Sequence, residues 1–194
     1  MQKDLEYLRS SRKYIFIVAG IFIISFMVGL LVSLQDLGLS ENYLEMLKNS
    51  FGWIKNLNPI AIMLVIFLNN ALKSLLSLVL GAGFGLVPVL FVAGNGLILG
   101  LLVNLVLKQE GLLFVLAAIL PHGIIELPMI LISAGLGLRL GFFMYISLKG
   151  EKTNMRFELI ESLRIYMRII MPLLFVSAMI ETFVTPLIVL GVMH

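Results

Sequence analysis

Long apolar runs dominate the chain, and each is about as long as a lipid bilayer is thick. A helix needs about 20 apolar residues to cross the hydrocarbon layer. Such runs occupy residues 14–34, 59–80, 84–107, 112–134 (continuing to 148) and 169–193. The sequence therefore predicts an all-α fold, a polytopic transmembrane bundle of about five helices, in a single domain that covers residues 1–194.

The composition supports a surface that faces lipid. Hydrophobic residues make up 60% of the chain and charged residues only 13%, against about 25% charged residues in a typical soluble domain. A small domain cannot bury such a surplus of apolar side chains, so the excess must contact lipid. The formal net charge of +3 is too small to indicate a nucleic-acid partner, and the absence of cysteine excludes disulfides and thiolate metal sites.

The fourth apolar segment is unusual. Residues 112–148 are long for one crossing and short for two, and Pro121 and Pro128 interrupt them. We expect a broken helix here, and the sequence leaves open whether the segment crosses once or enters the membrane and returns.

Most connections between the runs are short, which predicts antiparallel neighbours that pack as hairpins. Two polar segments are longer. Residues 35–58 are expected to include a short amphipathic helix at the membrane surface, and residues 149–168 are expected to form a loop.

Basic residues are distributed unevenly between the membrane ends. One side carries Lys3, Arg9, Arg12 and Lys13 together with Lys149, Lys152, Arg156, Arg164 and Arg168, whereas the other carries Lys48, Lys55 and Lys108. Cytoplasmic segments of membrane proteins carry the excess of Lys and Arg. We therefore expect a multi-pass protein of the cell (plasma) membrane with its N-terminus in the cytoplasm and its C-terminus outside.

Polar residues recur at the centres of the predicted membrane helices. They are Asn69, Asn70, Asn95, His122, Glu126 and Glu181, with Lys73 about one turn from a centre. A charged side chain at a helix centre costs about 2.5–3.5 kcal/mol on insertion scales. We therefore expect these groups to point inward, between the second to fifth helices, with the first helix peripheral. His122 and Glu126 are four residues apart and share a helix face.

This polar layer has two interpretations. Ionisable residues inside a membrane often mark a polar site or a path for protons or ions. Alternatively, the Asn, His and Glu side chains only form hydrogen bonds between helices. The sequence alone leaves both open.

Glycine pairs form a second pattern. Gly81–Gly85, Gly96–Gly100 and Gly137–Gly141 each have GxxxG spacing, which lets helix backbones approach closely. We expect these pairs to lie at helix contacts, and a dimer is the default expectation for a homo-oligomer.

Catalysis has few candidate residues. Both aspartates lie outside the apolar runs, and the two histidines are too far apart in the sequence to form an HExxH zinc site. A His/Glu pair also falls short of the three protein ligands of a catalytic zinc. We expect no enzyme activity, no metal and no cofactor.

Residues 121–128 read PHGIIELP, and residues 133–141 read SAGLGLRLG. They resemble the PHGxxEL and SAGxGLxxG signature of the stage II sporulation protein M family. Asn69–Asn70, and Asn95 followed by Gly96 and Gly100, resemble other marks of that family. Within the signature stretch of this chain lie Pro121, Gly123, Pro128, Gly135, Gly137, Arg139 and Gly141.

The resemblance implies a helical membrane protein with about five helices. In spore-forming bacteria the family's namesake is a membrane component of the engulfment machinery and anchors or localises partners that degrade peptidoglycan. Relatives also occur in organisms that form no spores, including archaea. The first functional hypothesis is a non-enzymatic membrane scaffold that holds protein partners or copies of itself in membrane lipid. The alternative is a transporter or channel component that moves protons, ions or a small solute past the polar layer.

Overall fold

The computed structural model describes residues 2–35 and 37–193, and gives only the backbone for residues 37, 39–40, 47–48, 51 and 54–55. Lys48 and Lys55, which entered the orientation prediction, therefore lie outside the described side chains.

The described residues are almost entirely helical and include no strand. Its six helices are α1 Gln2–Gln35, α2 Leu37–Phe51, α3 Pro59–Val79, α4 Leu86–Glu110, α5 Leu112–Leu148 and α6 Met155–Val192. All but α2 are long and apolar enough to cross a membrane. The predicted all-α, multi-pass membrane fold is confirmed, and α2 lies in the connection where a short helix is expected.

The expected break in the fourth segment does not occur. Residues Leu112–Leu148 form one helix, with Pro121 and Pro128 inside it. Each proline removes a single backbone hydrogen bond, and a membrane helix tolerates that loss because neighbouring helices, Ser and Thr side chains and local adjustments of the helix re-satisfy the freed carbonyl. The 37 residues of α5 span about 55 Å at 1.5 Å per residue, whereas the hydrocarbon layer is about 30 Å thick. The helix is therefore longer than the hydrocarbon layer is thick, and it passes through the bundle once.

The predicted loop at 149–168 is mostly wrong, because α6 already begins at Met155. Asn154 caps this helix: its side-chain oxygen accepts a hydrogen bond from the backbone nitrogen of Phe157 at 3.0 Å. Leu159 and Ile165 join an apolar cluster with residues of α1 and α5. Packing of these side chains stabilises a helix in a segment whose charges indicate a loop. Further along, α6 widens into π-helical turns at Tyr166–Ile170 and Ile180–Val184.

The predicted contacts between chain neighbours occur for α4 with α5 and for α5 with α6, but the expected hairpin of α3 and α4 is not a major contact. Instead α1 and α4 run parallel and pack closely. A Cβ atom at Gly96 would lie 2.5 Å from the carbonyl oxygen of Phe22, and one at Gly100 would overlap the backbone of Phe26. These two glycines allow the close approach, because no side chain fits between the helices.

A second parallel pair is formed by α3 and α5. A Cβ atom at Gly137 would lie 2.5 Å from the carbonyl oxygen of Ser77, and one at Gly141 would overlap the backbone of Gly85, in the turn that follows α3. Gly135 similarly faces Ile15 of α1. The glycines of α5 therefore fix its position against three neighbouring segments.

Candidate functional site

The helices α5 and α6 bring three ionisable side chains together. His122 and Glu126 are one turn apart on α5, and Glu181 lies in the π-helical turn Ile180–Val184 of α6. One potential ligand atom from each side chain lies within 4.8 Å of those from the other two, and all three residues are partly buried. We call this group the His–Glu–Glu cluster.

Two hydroxyl groups of α6 flank the cluster. The Ser177 hydroxyl donates a hydrogen bond to the backbone oxygen of His122 at 3.1 Å and lies 3.4 Å from Oε2 of Glu126. Thr185 Oγ1 lies 3.5 Å from Nδ1 of His122. Ser177, Glu181 and Thr185 follow one another at four-residue spacing and therefore share the face of α6 that meets α5.

The His–Glu–Glu cluster lies at the depth of the middle of the membrane helices. The Ser133 hydroxyl of α5 donates a hydrogen bond to the backbone oxygen of Ser74 on α3 at 2.8 Å. Because α3 and α5 are parallel, five residues back along each helix Asn69 and Pro128 lie at a similar level. Asn69 is the middle residue of α3, and Glu126 lies less than one turn from Pro128.

A cavity of about 220 Å³ adjoins the cluster between α1, α4 and α5. His122, Glu126 and Asn95 provide its polar wall, and most of the other described lining residues, such as Phe22, are apolar. Asn95 donates from Nδ2 to the backbone oxygen of Phe91 at 2.7 Å. At about 30 Å³ per molecule, the cavity has room for several waters or for a hydrated ion.

The cluster has the chemistry of a cation site. Two carboxylates this close repel each other strongly inside a membrane unless a cation or a proton lies between them. Imidazole and carboxylate groups are also ligands of first-row divalent metals. From the sequence, only His122 and Glu126 were expected to be neighbours, which is one ligand fewer than the three of a catalytic zinc site. The structure adds Glu181 as a third potential ligand.

The structure does not bring every predicted polar residue to this site. Asn69, Asn70 and Lys73 are not among the described residues that line the cavity. Asn69 and Lys73 are exposed on the outer face of α3, and Asn69 donates from Nδ2 to Oδ1 of Asn70 at 3.2 Å. The inward orientation expected for these residues is wrong for Asn69 and Lys73.

A second polar cluster, not anticipated from the sequence, joins α1, α5 and α6 near their basic ends. Arg139 donates to the Glu158 carboxylate from Nε at 2.8 Å and from Nη2 at 3.1 Å. Its Nη1 donates to the hydroxyls of Ser10 and Ser11, and the Tyr7 hydroxyl donates to Oε2 of Glu158 at 2.7 Å. The sequence signal that could have indicated this cluster is Arg139, since an arginine inside an apolar helix often pairs with an acidic residue.

Arg139 is 13 residues from Glu126 along α5, which corresponds to about 20 Å of helix. This distance exceeds half the thickness of the hydrocarbon layer, about 15 Å. The Arg139–Glu158 pair therefore lies near the membrane edge, apart from the His–Glu–Glu cluster.

Another unanticipated contact connects α1 and α4: Asn104 donates from Nδ2 to the backbone oxygen and to the hydroxyl of Ser33, both at 3.0 Å.

Comparison with known proteins identifies the same family that the motifs at residues 121–141 resemble. A family model described as Stage II sporulation protein M matches residues 15–186. An uncharacterized protein of Methanocaldococcus jannaschii is 32% identical over 123 residues, which cover 61% of this chain and 68% of that protein. No solved structure matches this chain. The matched residues of the family model include the whole His–Glu–Glu cluster.

Proposed function

The chain belongs to the stage II sporulation protein M family of membrane proteins, and we propose that it moves a cation across the membrane through the His–Glu–Glu cluster. The observation that carries the proposal is the convergence of His122, Glu126 and Glu181 within 4.8 Å at mid-membrane depth. Transport needs binding and release but no covalent chemistry, so the proposed role is not enzymatic. We place the protein in the plasma membrane with its N-terminus in the cytoplasm, as the basic residues favour.

Helix packing alone is a poor reason for such a cluster. A hydrogen bond between membrane helices contributes about 0.6 kcal/mol, whereas an ionisable group at the helix centre costs about 2.5–3.5 kcal/mol. The contact between α1 and α4, in contrast, is connected by neutral groups, Asn104 and Ser33. Two carboxylates and an imidazole at one point are better explained by a positively charged cargo.

The ligand set favours a divalent first-row metal ion such as Mn²⁺, Fe²⁺ or Zn²⁺. Imidazole nitrogen suits these ions, and carboxylate oxygen completes their coordination. Three protein ligands also leave coordination positions open, which lets an ion enter and leave. The π-helical turn that carries Glu181 supports this role, because such turns are frequent at functional sites.

Metal uptake into proteoliposomes tests the proposal. The purified chain is reconstituted, and a metal-sensitive dye inside the vesicles reports entry of Mn²⁺, Fe²⁺ or Zn²⁺. Glu126→Gln and Glu181→Gln should each lower uptake roughly tenfold or more, since even changes around metal ligands cost 10–100-fold in affinity. Glu151→Gln removes an exposed carboxylate outside the bundle and should leave uptake unchanged.

Equal uptake by Glu181→Gln and Glu151→Gln would contradict the transport proposal. A pH-sensitive dye in the same vesicles separates the metal from a proton. Proton flow that depends on Glu126 and Glu181, without any metal uptake, would show that the cluster conducts protons and would contradict metal transport.

A second candidate function, a scaffold for protein partners, rests on the outer face of α3. Val65, Asn69, Leu72 and Leu76 follow the alternating four- and three-residue spacing of a helix–helix seam. Asn69, Leu72 and Leu76 are exposed, and a polar residue at one seam position is a common determinant of register and oligomeric state. A helix of a second copy is the proposed occupant of this face.

Cysteine crosslinking tests the scaffold role, because the chain has no native cysteine. Leu72→Cys should form disulfide-linked dimers in the membrane, whereas Ile23→Cys on the exposed face of α1 should not. Equal crosslinking of the two variants would rule out a specific contact through α3.

A further inference from the structure

A groove of about 380 Å³ lies at the basic end of the bundle, away from the His–Glu–Glu cluster. Its walls include Tyr14 of α1, Phe142 and Tyr145 of α5, and Phe84 of the turn between α3 and α4. The Tyr14 and Phe142 rings pack against each other with centroids 5.6 Å apart. The described lining is mainly aromatic and aliphatic and contains no acidic side chain.

Two lysines stand over these aromatic walls. Lys13 Nζ lies 4.7 Å from the ring centroid of Tyr14 and 4.8 Å from that of Phe142. Lys149 Nζ lies 4.4 Å from the ring centroid of Tyr145. Both lysines are exposed. Each lysine therefore lies against a ring that lines the groove, which places two cationic groups next to an apolar lining.

Phe84 adds an independent observation. Its φ angle is +59°, in the left-handed region, and it is the only described non-glycine residue with a positive φ. Bulky side chains adopt this conformation rarely, and such strain clusters at ligand sites. Phe84 lies between two glycines, Gly83 and Gly85, and is the bulky residue of this turn. Phe84 is 62% exposed, so at this position it contributes a wall of the groove rather than stability.

We propose that the groove binds one anionic phospholipid from the leaflet at the basic end of the bundle. An acyl chain lies on the membrane side of the groove, beside Phe84, Ile17 and Leu138, and the phosphate contacts Lys13 and Lys149 at the outer end. Two features favour this ligand. The groove lies near the membrane edge, where aromatic rings meet lipid headgroups, and the cytoplasmic leaflet carries anionic lipids that attract basic residues. A free phosphate would not use the aromatic walls, and a zwitterionic lipid would gain less from the two lysines.

Native mass spectrometry of the full chain in detergent tests the site, with phosphatidylglycerol as the probe. We expect one retained molecule, weaker binding of phosphatidylcholine and none of glycerol phosphate. Lys13→Gln with Lys149→Gln should lower the affinity for phosphatidylglycerol roughly 25-fold, about fivefold for each lysine near an anionic lipid. Lys3→Gln with Lys152→Gln removes the same charge from exposed positions and is the matched control.

Phe84→Gly tests the acyl-chain part of the groove. The variant relieves the left-handed strain, so its Tm should equal or exceed that of the unmodified chain, while its affinity for both phospholipids falls. Unchanged lipid binding in this variant would overturn the proposal. So would equal losses in the two lysine double variants, or binding of glycerol phosphate as tight as that of phosphatidylglycerol. These outcomes do not depend on cation transport.

Discussion

Replacing Arg139 with methionine should destabilise the protein by about 3–5 kcal/mol, the range expected when one partner of a buried ion pair is removed. The side chains of Arg139 and Glu158 are each only 9% exposed, so water does little to screen the pair. Arg139 also donates to Ser10 and Ser11 of α1, and its guanidinium carbon lies 4.3 Å from the ring centroid of Tyr7. Methionine preserves most of the packing but leaves the Glu158 carboxylate without a cation.

The assay is reversible unfolding in mixed detergent micelles, titrated with dodecyl sulfate and followed by circular dichroism. Arg156→Met is the control, because Arg156 is an exposed cation near the same end of the bundle, and its loss should change the free energy of unfolding by no more than about 0.5 kcal/mol. Adding Glu158→Gln to Arg139→Met removes the stranded charge, so the double variant should be more stable than the sum of the single effects by roughly 1–3 kcal/mol. The reasoning is refuted if Arg139→Met is no more destabilising than Arg156→Met, or if the two single effects are additive.

Three further changes follow from the packing. Gly100→Ala should destabilise the α1–α4 contact by about 1–3 kcal/mol through overpacking, whereas Gly94→Ala, with no atom within 4 Å of the added Cβ, should be neutral or stabilising in the same titration. Asn104→Leu removes both hydrogen bonds to Ser33 and should lower the free energy of unfolding by about 1–3 kcal/mol. Asn154→Ala removes the cap of α6 and should cost about 1 kcal/mol, seen as faster amide hydrogen exchange in the first turn of that helix.

The number of membrane helices was predictable because bilayer thickness fixes the length of an apolar helix. The start of α6 was not. Glu158 and Arg164 resemble loop residues in the sequence, yet Glu158 is buried by its pairing with Arg139, and Arg164 binds Glu161 one turn away at 2.7 Å. A charge that is neutralised by a distant residue carries no local sign of burial. The same limit explains why Tyr7 and Glu158 went unnoticed as partners of Arg139.

Pairing between helices that are not chain neighbours was beyond the sequence. The spacing of Gly96–Gly100 and Gly137–Gly141 indicates that a backbone approaches closely but does not identify which backbone it is. Short connections favour contact between chain neighbours, which holds for α4 with α5 and for α5 with α6. They give no indication that α4 also lies against α1, or α3 against α5. Two helices pair because their surfaces fit each other. A local sequence pattern describes the surface of one helix only, so it does not identify the partner.

The orientation of polar side chains shows where the sequence argument stops. Depth follows from counting residues along a helix, but direction depends on rotation about the helix axis. In water the apolar face marks the inside, whereas in lipid both faces are apolar: on α4, Leu90 is 61% exposed and Val92 is fully buried. For such a helix, only the cost of placing a charge in lipid indicates which face points inward. On that basis we expected His122, Glu126 and Glu181 to point inward. The same expectation fails for Lys73 because α3 continues only six residues beyond it, about 9 Å, so the long side chain can extend its ammonium group toward the headgroups from an outward position.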